Sequence, residues 1–504
     1  MPLSYGLELI KEKKFIEAYQ FFKDHLSSNS NPKPEALFYK GVCLTELKMP
    51  HEALKVFKQL KTIDPKISFI HGTLINYMLK ICDWEFYGED YPKLMDGLNN
   101  DVKIIPAFTS LLLSGSEELQ LKIARIWGRE KYNSSNPQTL EPYSREGRRI
   151  RIGYFSSYFK QHPVSTLMAE LYELHDNAEF EIFAFSYGEQ KNDVMNKRIK
   201  ITIDHFIDVS DNSDEEIAAL ARKHEIDIAI DLNGTGESNR SLIFSHRVAP
   251  IQIGYMYAGT MATNYMDYLI ADETVIPETS RKFYTEKILN LPNCYMVRDS
   301  KLPIANLEFE IKELGLPNSV FVFCCFNQSS KINPETFDSW CRILNKVEDS
   351  VLWLLEDNSL MVDNLKLEAK KRLIDPKRII FAKKRPQPFY LGLYKYADLF
   401  LDTLPYNAHT TAGDALWADL PVLTCFGTTY AGRVAASHLK AIGLPELITY
   451  SRDEFEKLAV ELANNSEKLK SIKEKLIANK NNTPLFDTKL FVRNFEAALK
   501  QILN

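Results

Sequence analysis

Twice along this chain, short β-rich runs alternate with helical patterns, and each series is long enough to build a sheet of its own. The first runs RIGYF, TLMAELYELH, FEIFAFSY, VMNKRIK, HFIDV, EEIAALARKH, IDIAIDL, SLIFSHR and IQIGYM, and its pattern ends near Asp299. An irregular segment from Ser300 to Pro317 follows. The second series then runs VFVFCCF, FDSWCRILNKV, SVLWLLE, KLEAKKRL, RIIFA, LGLYKYA, LFLDT, TAGDALWA and PVLTCF. Strands separated by helices pair in parallel, with helices on both sheet faces. The expectation is therefore two doubly wound α/β lobes in tandem, spanning 148–305 and 315–504. Such lobes bind ligands outside the carboxyl ends of their strands, so the cleft between them is the expected site. Helices from Arg452 to Leu503 close the second lobe.

Ahead of the lobes stands a repeat. Gly6, Ala18 and Phe22 recur as Gly41, Ala53 and Phe57, an offset of 35 residues with identical internal spacing. In the second copy Leu37, Gly41, Leu44, Ala53, Phe57, Leu60 and Pro65 fall where a tetratricopeptide repeat places its packing residues. Two such hairpins cannot bury a continuous face alone, so they must lean on a third (Ser68 to Tyr87) or on the next domain. An α-helical region over 1–135 is expected, followed by a polar linker from Asn133 to Arg149.

Composition narrows the function. Lysine and arginine total 62 against 67 acidic residues, a net charge of −5, which leaves no global basic field for nucleic acid. The start lacks a signal-peptide pattern, and no run of apolar residues is long enough to span a membrane. Seven scattered cysteines form no C-x-x-C pair, which argues against a disulfide framework or a zinc site and for a reducing cytoplasm. Nor is there a G-x-G-x-x-G, a Walker A motif, H-E-x-x-H, G-x-S-x-G or a D-x-D pair. Dehydrogenase, NTPase, zinc-protease, esterase and metal-dependent sugar-transfer readings lose their usual signatures.

The loops that end the strands carry the remaining chemistry. After LFLDT, His409, Thr410 and Thr411 lead into an amphipathic helix with Asp414 in its first turn. A helix start offers free N–H groups and hydroxyls to a diphosphate, and the carboxylate could accept from a ribose diol. Thr411-x-x-Asp414 is equally a capping box with no ligand at all. After VFVFCCF come Gln328 and Lys331, and a lysine there could neutralise a departing diphosphate. After RIGYFSS, His162 precedes Pro163 at a helix start, placed as a general base or as a neutral donor. His205, opening HFIDV, has the same ambiguity and reads rather as structural. The other histidines form no cluster of metal-ligand spacing, so no metal is expected.

At these residues the chain resembles the O-GlcNAc transferase family of protein glycosyltransferases. The resemblance rests on ICDWEFY, RIGYFSSYFKQHPVSTLM, HFIDVS, IDIAIDLNG, APIQIGYMYAGT, MDYLIAD, CFNQSSKINP, SVLWLL, NAHTTAGD and GRVAASHL, in that order. It implies a GT-B fold and an inverting, metal-independent transfer of N-acetylglucosamine from UDP-GlcNAc to Ser or Thr of protein acceptors, with no cofactor. By matching positions, Lys331 stabilises the leaving diphosphate, Gln328, His409, Thr410 and Thr411 hold it, and Asp414 takes the ribose. His162 stands at the sugar and acceptor, and Thr260 closes the donor set. Repeats ahead of the catalytic region present the acceptors.

The chain departs from the animal enzymes. Gln387 and Tyr390 replace a Lys and a His near the nucleobase, Ala258 a proline, and Ser330 an aromatic beside Lys331. The large insertion between the halves and the long repeat array are missing, as in a bacterial-type member. His409 and Asp414 favour a UDP donor over that of plant-type O-fucosyltransferases. The competing readings are a UDP-glucose or other UDP-hexose enzyme acting on Asn, and an inactive repeat-bearing scaffold. Joint retention of His162, Gln328, Lys331, His409, Thr410, Thr411 and Asp414 speaks against the scaffold.

Overall fold

Helical hairpins form at the amino end because a glycine on one helix meets a phenylalanine on the next. In a computed structural model describing residues 2–12, 14–28, 33–47, 49–63, 70–100, 105–131, 139–236 and 238–503, Leu3–Lys11 packs on Phe15–Ser28, and Pro34–Glu46 on Pro50–Ile63. A Cβ on Gly6 would lie 2.5 Å from the Phe22 ring, and one on Gly41 2.6 Å from Phe57. Only a hydrogen fits at either position, so the repeated Gly and Phe are one contact made twice. Phe22, Phe57, Ala18 and Ala53 are fully buried. Pro65, Ser68 and residues 133–138 of the expected linker lie outside the described residues.

A third hairpin, Ile70–Lys80 and Phe86–Asn99, follows, and it leans on the second lobe. Ser329 Oγ and Asn358 Nδ2 donate to the Lys80 carbonyl at 2.6 and 2.9 Å, and Asn364 Nδ2 to that of Ile81 at 2.8 Å. Helices Ala107–Leu113 and Glu117–Lys131 complete the region.

Both expected sheets form, and every pairing in them is parallel. The first consists of β1 (Ile150–Ser156), β2 (Phe180–Ser186), β3 (His205–Asp208), β4 (Ile228–Asp231), β5 (Ile251–Gly254), β6 (Tyr268–Ala271) and β7 (Lys287–Asn290), in the order β3-β2-β1-β4-β5-β6-β7. The second consists of β8 (Phe321–Cys325), β9 (Ser350–Leu355), β10 (Ile379–Ala382), β11 (Leu399–Leu401), β12 (Val422–Cys425) and β13 (Ile448–Thr449), in the order β10-β9-β8-β11-β12-β13. In each sheet the strand order reverses direction beside the first strand, which opens a crevice at the carboxyl ends of β1/β4 and β8/β11. Strands β6, β7 and β13, of four, four and two residues, were not in the two series.

The closing helical stretch resolves into Arg452–Asn464, Ser466–Asn479 and Thr488–Leu503. The last of these leaves the second lobe and packs on helix Pro163–Leu174 of the first. Thr488 Oγ1 donates to Glu170 at 2.7 Å, and His175 bridges Glu496 and the Tyr154 hydroxyl, 2.8 Å on each side. All seven cysteines are unpaired and buried. Among the described residues no helix is long and apolar enough to cross a membrane.

Candidate active site

Lys331 ends a short 3-10 turn, Ser329–Lys331, directly after β8. Its Nζ donates to the Asn407 carbonyl at 2.7 Å and lies 4.1 Å from the centre of the Tyr406 ring. Tyr406 packs in turn on His409, with centroids 4.5 Å apart. Adjacency of β8 and β11 in the sheet brings these two loops together, although 76 residues separate Lys331 from Asn407. Burial pulls the Lys331 ammonium below its ordinary pKa, and the carboxylate of Asp402 opposes that pull. Asp402 itself is buried at the end of β11, and burial raises its own pKa.

His409 precedes helix Thr410–Trp417, and its Nε2 donates to the Ala431 carbonyl at 3.1 Å. Burial, reinforced by the charge of Lys331, pushes its pKa well down, so the ring is neutral. The capping-box alternative does not form: His409 occupies the N-cap with no side-chain cap bond. Asp414 pairs with Arg298 instead, at 2.7 Å from Nη2. Among the described residues the N–H groups and hydroxyls of Thr410 and Thr411 have no hydrogen-bond partner, and both residues are half-buried. Two open N–H groups, two hydroxyls and an ammonium thus gather at one helix start, where the peptide dipoles favour an anion.

Arg298 was not among the residues expected from the sequence. It comes from the first lobe, is fully buried, and also donates to the Thr410 carbonyl at 3.2 Å. It fits only because residue 413 is glycine, where a Cβ would stand 2.5 Å from the guanidinium. Its one signal was an Arg-Asp pair ending the apolar run LPNCYMV. Asp414 is buried and held by that pairing. Burial raises its pKa and Arg298 opposes the rise.

His162 is the N-cap of helix Pro163–Leu174, and its Nδ1 accepts from the Val164 N–H at 3.2 Å. The ring stacks on Tyr158, centroids 3.7 Å apart and planes 6° from parallel. Burial, then the charge of Lys160, lowers its pKa to about 4. A neutral ring whose Nδ1 is an acceptor carries its proton on Nε2, so His162 has a donor there. The same helix reaches the second lobe through Thr166 Oγ1 and Gln387 Oε1, 3.4 Å apart.

Tyr390, in helix Gln387–Leu393, bonds the Tyr394 hydroxyl at 2.5 Å, and its phenol is raised by burial and then by the charge of Asp414, which it faces. Gln328 is exposed beside the Lys331 turn. Thr260 Oγ1 donates to the buried Glu286 at 2.5 Å and accepts from Ala262 N at 2.9 Å, so its hydroxyl holds its own loop. His205 stands at the amino end of β3, bonded to Glu181 at 2.9 Å, and is not brought to the carboxyl edge with the others. Among the described residues no group of three or more His, Cys, Asp or Glu could hold a metal ion.

Comparison with known proteins places this geometry. Residues 116–312 and 309–495 match the sequence model of glycosyl transferase family 41. A probable UDP-N-acetylglucosamine–peptide N-acetylglucosaminyltransferase of Arabidopsis thaliana is 37% identical over 372 residues, 72% of this chain and 38% of that protein. A Caenorhabditis elegans protein named UDP-N-acetylglucosamine–peptide N-acetylglucosaminyltransferase is 28% identical over 84% of this chain and 48% of its own length. The chain therefore spans less than half of either relative. A solved structure of a mutant Thermobaculum terrenum O-GlcNAc transferase superimposes with a TM-score of 0.82 at 25% identity, over 99% of this chain and 96% of that one. The two-lobed architecture is a GT-B fold.

Proposed function

Because the chain belongs to glycosyl transferase family 41, we propose that it transfers N-acetylglucosamine from UDP-GlcNAc to serine or threonine hydroxyls of proteins, with inversion and without a metal. The observation that carries this reading is the meeting of the Lys331 ammonium with the open start of helix Thr410–Trp417. In the transfer, the acceptor oxygen bonds to the sugar C1 while the C1–O bond to the diphosphate breaks. Negative charge grows on the departing diphosphate, and the acceptor hydroxyl gives up its proton to a phosphate oxygen of that leaving group. Lys331 and the N–H groups of Thr410 and Thr411 stabilise that charge, the task a divalent cation performs elsewhere. Asp414, oriented by Arg298, accepts from the ribose. His162 donates from Nε2 to an oxygen of the sugar or acceptor and is not the base.

Co-expression with candidate acceptor proteins tests the reading by intact mass. A gain of one N-acetylhexosamine per modified site is the expected result. A plain hexose would transfer the assignment to a UDP-hexose enzyme, and unmodified acceptors throughout would favour the scaffold. In an active preparation, Lys331→Ala should lower turnover about 100-fold or more while melting normally, the loss typical of removing one transition-state charge stabiliser. Insensitivity of the same activity to EDTA is expected.

A further inference from the structure

Asp402 belongs to no role assigned above, yet it lies beneath the whole 403–409 turn. Its Oδ1 accepts from Thr403 N at 2.7 Å and from Ala408 N at 2.6 Å, and its Oδ2 from Thr424 Oγ1 at 2.6 Å. The two backbone bonds pin both ends of the turn. Within it Thr403 Oγ1 donates to the Tyr406 carbonyl at 2.6 Å and Asn407 Nδ2 to the Thr403 carbonyl at 2.8 Å. From outside, Asn327 Nδ2 donates to Thr403 Oγ1 at 2.9 Å, and Asn407 N to the Ala431 carbonyl at 2.9 Å. The product of all these bonds is one buried acceptor, the Asn407 carbonyl that receives Lys331 Nζ.

We propose that Asp402 is the positioning residue of Lys331: its carboxylate shapes the turn that offers the Asn407 carbonyl, and its charge keeps the ammonium protonated where a diphosphate is to be held. The proposal rests on the transfer reading for its purpose, not for its geometry. The groups facing Lys331 are Asp402 and Tyr406 on the turn, His409 at the helix start and Cys325 at the end of β8. His409 is neutral, and burial holds the Cys325 thiol and the Tyr406 phenol in their protonated forms. Asp402 is therefore the one anion among them. Burial by itself pulls the ammonium toward losing its proton, and Asp402 opposes that pull. The substrate diphosphate then meets a charge already in place.

The pH dependence of Lys331 acylation by acetic anhydride, read by mass spectrometry on the intact protein, measures this without turnover. In Asp402→Asn the midpoint should fall by about one to three units, the shift produced by losing an adjacent opposite charge, and Asp402→Glu should restore part of it. An unmoved midpoint in a folded Asp402→Asn protein overturns the proposal. Should that variant not fold, the reciprocal measurement decides. In Lys331→Met, the Asp402 carboxyl, followed by its carbon-13 resonance, should titrate at higher pH than in the wild type. An unchanged midpoint there also overturns it. Failure of the transfer reading is detected separately, by the intact-mass experiment.

Discussion

A histidine whose Nδ1 already accepts a backbone hydrogen can bind a second proton there only by breaking that bond. His162 is in this position, and acidification must pull it away from Val164 N. Its folded pKa lies at about 4, below the unfolded value near 6.5. The unfolded chain therefore takes up the proton first. The stability contributed by the neutral ring is complete above the unfolded value and is lost as pH falls through the folded one. A proton NMR titration of the His162 ring should give a midpoint well below 6, and a value at or above 6.5 would refute the donor assignment. Lys331, His409 and Thr410 were legible in the sequence because each follows an apolar strand in a short polar loop. Arg298 and Asp402 were not, because a charge at the end of an apolar run is equally a strand terminus until its partner is known.

At the scale of elements, the repeat and the helix start depend on the absence of a side chain. Gly41→Ala would drive a methyl to within 2.6 Å of the Phe57 ring, which is 1% exposed and cannot swing clear. Overpacking of this kind costs about 1–3 kcal/mol. The expected readout is a lower denaturant midpoint for the helical region with donor hydrolysis retained, and wild-type stability would show that the hairpin yields. Sequence periodicity located both hairpins because the Gly–Phe contact is local. The function of helix Thr410–Trp417 was ambiguous between cap and anion site for the opposite reason. Arg298, which removes Asp414 from any capping role, lies 116 residues away.

At the scale of the molecule, three regions of the chain meet at one buried group. Arg433 Nη1 of the second lobe donates to Glu117 of the helical region at 3.2 Å, and to Ser280 Oγ and the Val275 carbonyl of the first lobe at 3.1 and 3.3 Å. Ser280 Oγ donates to the other Glu117 oxygen at 2.8 Å. Burial already raises the pKa of Glu117. Arg433→Met would leave that carboxylate unpaired, an imbalance that costs about 3–5 kcal/mol. A double-mutant cycle checks it: Arg433→Met with Glu117→Gln should be less destabilised than Arg433→Met alone, and strict additivity of the two losses would exclude the coupling.

Periodicity, loop chemistry and family motifs, all short-range along the chain, were enough to locate the helical repeat, the two parallel lobes and most of the side chains that gather at the start of helix Thr410–Trp417. Local sequence carries that information because strand, helix and turn preferences act over a few residues. Three outcomes belonged to the tertiary structure alone: the pairing of Arg298 with Asp414, the return of helix Thr488–Leu503 to the first lobe, and the tautomer of His162. The first two join segments far apart in sequence, and the third turns on which nitrogen meets an N–H. Coulomb and hydrogen-bond energies depend on distance and direction in space, and neither is fixed until the chain has folded.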